Sequence, residues 1–220
     1  MNCISRILLV ILFSLIIFAA GCATQDKIKE LQSVEIREYE GENLSSFIEV
    51  RDVSIKGPQK IEISDYKLEI SGLVKEQKYY TYDQIINTHQ KYQKVVQINC
   101  VEGWNSKNLW EGILLNDIFE EVGLDPKATT VIFYAYDGYS TSLPLDYIVK
   151  NNILIGYKIN GITLTQATGY PFILVAEDKW GYKWIKWITK IELSENEDFR
   201  GYWESRGYSN IADLNRSFFD

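Results

Sequence analysis

Cys100 is the side chain in this sequence with the most chemistry to offer. It lies in Val95-Val96-Gln97-Ile98-Asn99-Cys100-Val101-Glu102-Gly103-Trp104, while the other two cysteines, Cys3 and Cys22, fall in an N-terminal export segment and at its junction. An exported protein without a disulfide partner keeps a lone thiol either as a small buried apolar residue or because a metal or substrate uses its sulfur. Gly103 permits close backbone approach, and Trp104 and Trp110 can wall a substrate pocket beside the thiol. His89 is the only histidine and sits in polar Thr88-His89-Gln90-Lys91, where it is expected to be exposed. A single histidine excludes a multi-histidine metal site and a serine triad.

The elements that must position Cys100 are mainly strands. Residues 66–74 alternate apolar and polar side chains, as a half-buried strand does, and 94–99, 130–135, 153–159 and 172–176 also read as strands. Asn160-Gly161 suits a hairpin turn. Residues 82–87 and 115–122 read as short helices, the second stopping at Gly123 with Pro126 beyond. Cys100 falls at a strand end and Val101 to Asn105 begins a loop, from which a side chain can reach a pocket on a rigid support. The class is α+β, strand-rich, in one domain.

The N-terminus gives the location. Arg6 precedes an apolar run from Ile7 to Phe18, and Ala19-Ala20-Gly21-Cys22 supplies the small residues a signal peptidase requires. The run is short of the roughly 18 residues of a spanning helix. Residues 1–21 therefore read as a lipoprotein signal peptide, Cys22 as the lipidated residue, 22–41 as a polar tether and 42–220 as the folded domain. The expected place is a bacterial-type cell envelope, lipid-anchored on the outer face of a membrane. A net charge of −7 and the lack of a basic cluster exclude nucleic acid as a partner, so membrane contact is expected through Cys22 alone.

Four blocks in order then carry a family resemblance. Val95-Val96 and Cys100, followed by Trp110-x-Gly112 and Leu115-x-Asp117, resemble the molybdopterin-binding domain of the sulfite oxidase superfamily, including bacterial molybdoenzymes that reduce methionine sulfoxide in periplasmic proteins. Tyr139 to Pro144, Gly169 to Ala176, and Trp180 to Ile188 match later segments in the same order. The resemblance implies a mixed-sheet sulfite-oxidase-like fold and a molybdenum–molybdopterin cofactor with Cys100 as its metal ligand, a soft thiolate suiting a soft redox-active metal. It implies Tyr139 as the catalytic tyrosine, and Gly181, Lys183, Trp184, Ile185 and Lys186 as cofactor-binding residues, with Lys186 at the phosphate end. By strand geometry Lys183 and Lys186 point to opposite faces, so one of them enters the pocket. Tyr139 is equally readable as a buried aromatic with its hydroxyl satisfied, and Trp184 as packing.

Several positions depart from the family pattern. Ile173 stands where the methionine-sulfoxide-reducing relatives have an arginine on the cofactor, Asn105 replaces a usual serine, and 35–60 shows no equivalent of an N-terminal cofactor-binding segment. No immunoglobulin-like domain of the sulfite oxidases is expected before the chain ends at Asp220. Loaded exported members use the twin-arginine route, whereas Arg6 has no adjacent arginine. Two functions follow. One is a membrane-tethered molybdopterin oxidoreductase carrying out two-electron oxygen-atom transfer; with no Cys-x-x-Cys-His haem motif, it exchanges electrons with a separate partner. The other is a cofactor-free lipoprotein that uses the fold as a binding or envelope-interaction module.

Overall fold

The β-branched and aromatic runs pair into two five-stranded sheets in the computed structural model, which describes residues 25–219. The expected signal segment 1–21 and the expected lipidation residue Cys22 lie outside the described residues. One compact unit ends at Glu35 and contains helix α1 (25–33); the next runs from Ile36 to the C-terminus. Among the described residues no helix is long and apolar enough to cross a membrane.

The second unit opens with an antiparallel hairpin, β1 (Glu38–Tyr39) and β2 (Glu42–Asn43). Ile36 N–H donates to the Asn160 carbonyl at 3.0 Å and the Arg37 guanidinium to the Leu44 carbonyl at 3.1 and 3.2 Å. The compact body thus starts before residue 42, inside the expected tether. Its polar sequence hid this because the hairpin is held by main-chain hydrogen bonds rather than by apolar burial.

The first large sheet is antiparallel. β5 (Tyr92–Asn99) pairs with β6 (Asn105–Leu114), β6 with β9 (Leu154–Ile159), and β9 with both β10 (Ile162–Thr163) and β11 (Ile173–Val175). Asn160 and Gly161 make the β9–β10 turn with φ of +49° and +79°, the left-handed pair that a two-residue hairpin needs. The second sheet is mixed, in the order β4–β3–β12–β7–β8. Its central strand β12 (Ile188–Ser194) runs parallel to β3 (Leu68–Gly72) and antiparallel to β7 (Thr130–Ala135), with β4 (Lys78–Tyr80) and β8 (Ser140–Pro144) at the edges. This is the strand-rich α+β, mixed-sheet architecture expected.

Helix α2 (Tyr82–Thr88) starts at a capping box in which Gln84 N–H donates to Thr81 Oγ1 at 3.2 Å and Thr81 N–H to Gln84 Oε1 at 2.8 Å. Helix α3 (Leu115–Val122) turns one face inward, burying Leu115, Ile118, Phe119 and Val122 at the spacing of a half-buried helix. Helix α4 (Leu145–Lys150), along with β6, β8 and β12, goes beyond the elements expected from sequence. The strand expected at 66–74 is confined to β3, because Gly72 adopts φ +87° where a Cβ would lie 2.1 Å from the Leu193 carbonyl. His89 is not exposed: its side chain is 5 % accessible, lies edge-on to Tyr80 and pairs with Glu121 at 2.9 Å.

Gly112 shows how tightly β6 and β9 approach. A bulge separates Glu111 from Gly112, and a Cβ there would meet the Ile155 carbonyl at 2.3 Å and Leu154 Cδ1 at 2.6 Å. Gly112→Ala is expected to cost about 1–3 kcal/mol by forcing the strands apart, measured by thermal or denaturant unfolding. An unchanged midpoint would show that the bulge absorbs the methyl group.

Candidate active site

The ends of the two sheets meet around one cleft, and three turns bring the chemistry there. The β5–β6 turn supplies Cys100 to Trp104, closed by Cys100 N–H to the Trp104 carbonyl at 2.9 Å and Gly103 N–H to the Cys100 carbonyl at 3.0 Å. Gly103 has φ +88°, and a Cβ placed on it would meet nothing within 4 Å, so it serves a left-handed turn rather than the close approach expected of it. The β7–β8 turn supplies Asp137 and Tyr139, with Ala135 N–H donating to the Tyr139 carbonyl at 2.9 Å and Tyr139 N–H to Asp137 Oδ1 at 2.9 Å. The connection from β11 to β12 crosses between the sheets and supplies Gly181, Tyr182 and Trp184 to Trp187.

That connection lies close against Cys100. Trp180 bridges Asn99, and a Cβ on Gly181 would sit 3.2 Å from the Asn99 carbonyl and 3.4 Å from Cys100 Cα. Glycine lets the two main chains meet this closely and forms a tight cradle for the Cys100 turn. Residues 181–183 form a single 3-10 turn, not the strand expected, which removes the alternation from which opposite faces were assigned to Lys183 and Lys186. Trp187 holds φ +54°, a conformation that costs a bulky residue about 1–3 kcal/mol and is retained where the surroundings enforce it. Here the indole N–H donates to the Gln166 carbonyl at 2.8 Å.

Of the residues singled out from sequence, Cys100, Trp104, Tyr139, Gly181, Trp184, Ile185 and Lys186 line this cleft together. Two do not. Trp110 is fully buried behind it, with its ring 5.5 Å from Trp184 and its N–H directed to the Val96 carbonyl, because β6 turns it into the sheet interface. Lys183 is also fully buried and outside the lining; its ammonium donates to Glu204 Oε1 at 2.5 Å, the Ser142 carbonyl at 3.0 Å and Asn210 Oδ1 at 3.3 Å. Ile173 is packed in β11 against Gly156 and does not reach the cleft.

The electrostatics are those of a partly desolvated, mixed-charge pocket. Burial pushes the Cys100 thiol above its ordinary value, with Glu102 adding to the rise, while main-chain hydrogen bonds and Arg51 pull it down. Burial lowers the Lys186 ammonium, and Asp52 opposes that shift from 3.2 Å. Tyr139 is held well above the usual phenol range by burial first and Glu204 second. Its hydroxyl donates to the Tyr182 carbonyl at 2.5 Å. Through this bond Tyr139, which also lines the cleft, ties the β7–β8 turn to the 3-10 turn.

Sequence reasoning missed Arg51, Val53, Ser54 and Ile55, which wall the cleft from an irregular segment, and Asp137, Trp203 and Tyr208 on its other sides. Residues 51–55 carry no periodicity or motif by which they could have been found. Trp203 and Tyr208 lie in an aromatic cluster with ring centroids 5.2 Å apart, which a density of aromatic residues near the C-terminus could have signalled.

Comparison with known proteins places this geometry. Residues 55–203 match the family described as the oxidoreductase molybdopterin binding domain. The chain is 31 % identical to the oxidoreductase YuiH of Bacillus subtilis over 152 residues, covering 69 % of this chain and 76 % of that protein. It is 30 % identical to a putative protein-methionine-sulfoxide reductase subunit of Azospira oryzae, covering 69 % of this chain but 57 % of that one. The sulfane dehydrogenase SoxCD of Paracoccus pantotrophus shares the fold, with a TM-score of 0.64 at 18 % identity over 73 % of this chain and 44 % of that chain.

The Lys183–Glu204 pair, with both side chains inaccessible, joins the segments that make the cleft walls. Glu204→Gln should leave a buried ammonium without its counter-charge and cost about 3–5 kcal/mol, whereas replacing the pair together by Met and Leu should cost much less. Equal losses on chemical denaturation would show that shape, not charge pairing, holds the segments.

Proposed function

Since the chain belongs to the oxidoreductase molybdopterin-binding domain family, we propose that it is a membrane-tethered enzyme carrying out two-electron oxygen-atom transfer. Molybdopterin binding and oxidoreductase chemistry come with the family. The tether, the reaction class and the residue roles are the reading advanced here, and the observation that carries it is the convergence of Cys100, Lys186 and the Gly181 cradle on one cleft. Family membership favours the enzyme over a cofactor-free module.

The donor set fits the group. One thiol suits a soft metal, Arg51 and Lys186 suit an anionic end, and Trp104, Trp184 and Trp187 offer flat apolar walls to a ring system. Gly181 lines the cleft next to Cys100 and puts main chain, with no side chain, on that wall. When bound, the molybdenum cofactor supplies the two-electron redox couple, and the protein's part is to hold, orient and tune it.

Each residue then has a defined task. Cys100 would hold the metal through its sulfur, and burial, which raises its thiol above the ordinary value, makes that hold dependent on pH. Lys186 and Arg51 balance the anion's charge, the tryptophans exclude water, and Tyr139 holds two walls in register through the Tyr182 carbonyl. Electrons pass to or from a separate protein, in keeping with relatives named as subunits of a reductase. The chain spans 57 % and 48 % of the length of those two relatives.

Cys100→Ser, prepared beside the wild type from the native host, should abolish molybdenum content and redox activity while lowering cofactor-free stability by about 1–3 kcal/mol at most, since the residue is buried although it lines the cleft. Metal retained in the variant, or none in the wild type, would count against Cys100 as ligand. Cys22→Ser should release the protein from the membrane or leave an unprocessed precursor. Normal processing with unchanged membrane retention would rule out the lipid anchor.

A further inference from the structure

Lys186 is an occupied cation. An ammonium has three N–H bonds, and here they face three acceptors: the Ala167 carbonyl at 2.7 Å, Asp52 Oδ1 at 3.2 Å and the Arg51 carbonyl at 3.3 Å. The lysine side chain is 10 % accessible, so water cannot take over from a lost partner. An anion can therefore reach Lys186 only by displacing one of these acceptors. The two longer contacts both belong to Arg51-Asp52, at the start of an irregular segment whose next residues, Val53 to Ile55, wall the cleft.

Asp52 can be displaced at low cost. Its Oδ2 accepts the Ser54 hydroxyl at 3.0 Å and its Oδ1 accepts the Ser54 N–H at 3.3 Å, so the carboxylate keeps partners of its own after leaving the lysine. Lys186 has no such reserve. A second anion arriving while Asp52 stays in place would face a like charge across a hydrogen bond, an arrangement that discriminates strongly against it.

We propose that Asp52 is a competing counter-ion, which pairs with Lys186 and sets the affinity of the site for an anionic ligand by contending for the same ammonium. This rests on the reading of the cleft as a cofactor site with Lys186 at its anionic end, and it assigns Asp52 as a specificity-determining residue for anions. The competition is a property of the protein alone, so it is measurable without a loaded enzyme. It also links occupancy to the 51–55 wall, because a ligand on Lys186 takes away one of the two contacts by which Lys186 holds Arg51-Asp52.

The test is calorimetric titration of inorganic phosphate into the full chain produced without cofactor. Asp52→Asn should bind phosphate about tenfold or more tightly than the wild type, and the gain should vanish when Lys186→Met is added. Asp52→Ser, which removes the charge without supplying an amide, should show the same gain and guards against a folding defect in the first variant. Equal or weaker binding by both single variants, or a gain that survives Lys186→Met, would overturn the proposal. Its failure is separable from failure of the proposed function, which is read from molybdenum in the wild-type protein isolated from its own host.

Discussion

The buried ion pair between Lys183 and Glu204 is the contact on which the shape of the cleft depends. Glu204 Oε1 also accepts the Thr141 hydroxyl at 2.5 Å, and the lysine reaches the Ser142 carbonyl, so one pair joins the 3-10 turn, strand β8 and the 204–206 turn. Each of those segments carries or adjoins a wall: Gly181 and Tyr182, Tyr139, and Trp203 with Tyr208. Removing two charges from water is costly, and such a pair adds little net stability over apolar groups of the same shape. Its value here is that it allows one arrangement of three segments. Gly201 follows from the same constraint, because a Cβ there would meet the Ser140 carbonyl at 2.2 Å and Glu204 Oε2 at 2.7 Å.

The two lysines of one short segment are thus divided in use. Lys183 is sealed away by an inaccessible carboxylate, while Lys186, which lines the cleft, pairs with the part-buried carboxylate of Asp52. A local 3-10 turn, not strand alternation, makes the division. Cys100 experiences both results: burial favours its neutral thiol, and the cationic side of the cleft moderates that preference.

Much of this was legible in the residues themselves. The 130–135 strand and the 115–122 helix announce themselves by β-branching and by an apolar stripe, since both elements are set by burial of side chains that the sequence names. The position of Cys100 at a strand end was likewise readable. Strand β6 was not, because its first half is polar: Ser106 and Asn108 are fully buried yet bonded to each other at 2.7 Å, and Asn108 donates to the Ser45 carbonyl. Polar residues satisfied by distant partners carry no local signal. The same applies to Lys183, whose partner lies 21 residues on, and to Arg51, whose place in the site depends on where an irregular segment happens to cross it.

The parallel pairing of β3 with β12 also dictates an order of assembly. Strands β5 and β6 are joined by a short turn and can close early, whereas Leu68 to Gly72 must wait for residues 190–193 before the second sheet has its centre. Pairings between distant parts of a chain form slowly, because loop closure precedes the contacts that reward it. The Cys100 turn rests on a local pairing, whereas the opposite walls, carried by 181–187 and 203–208, come from the far end of the chain. A chain shortened before Trp203 would therefore keep the thiol and lose part of the enclosure around it.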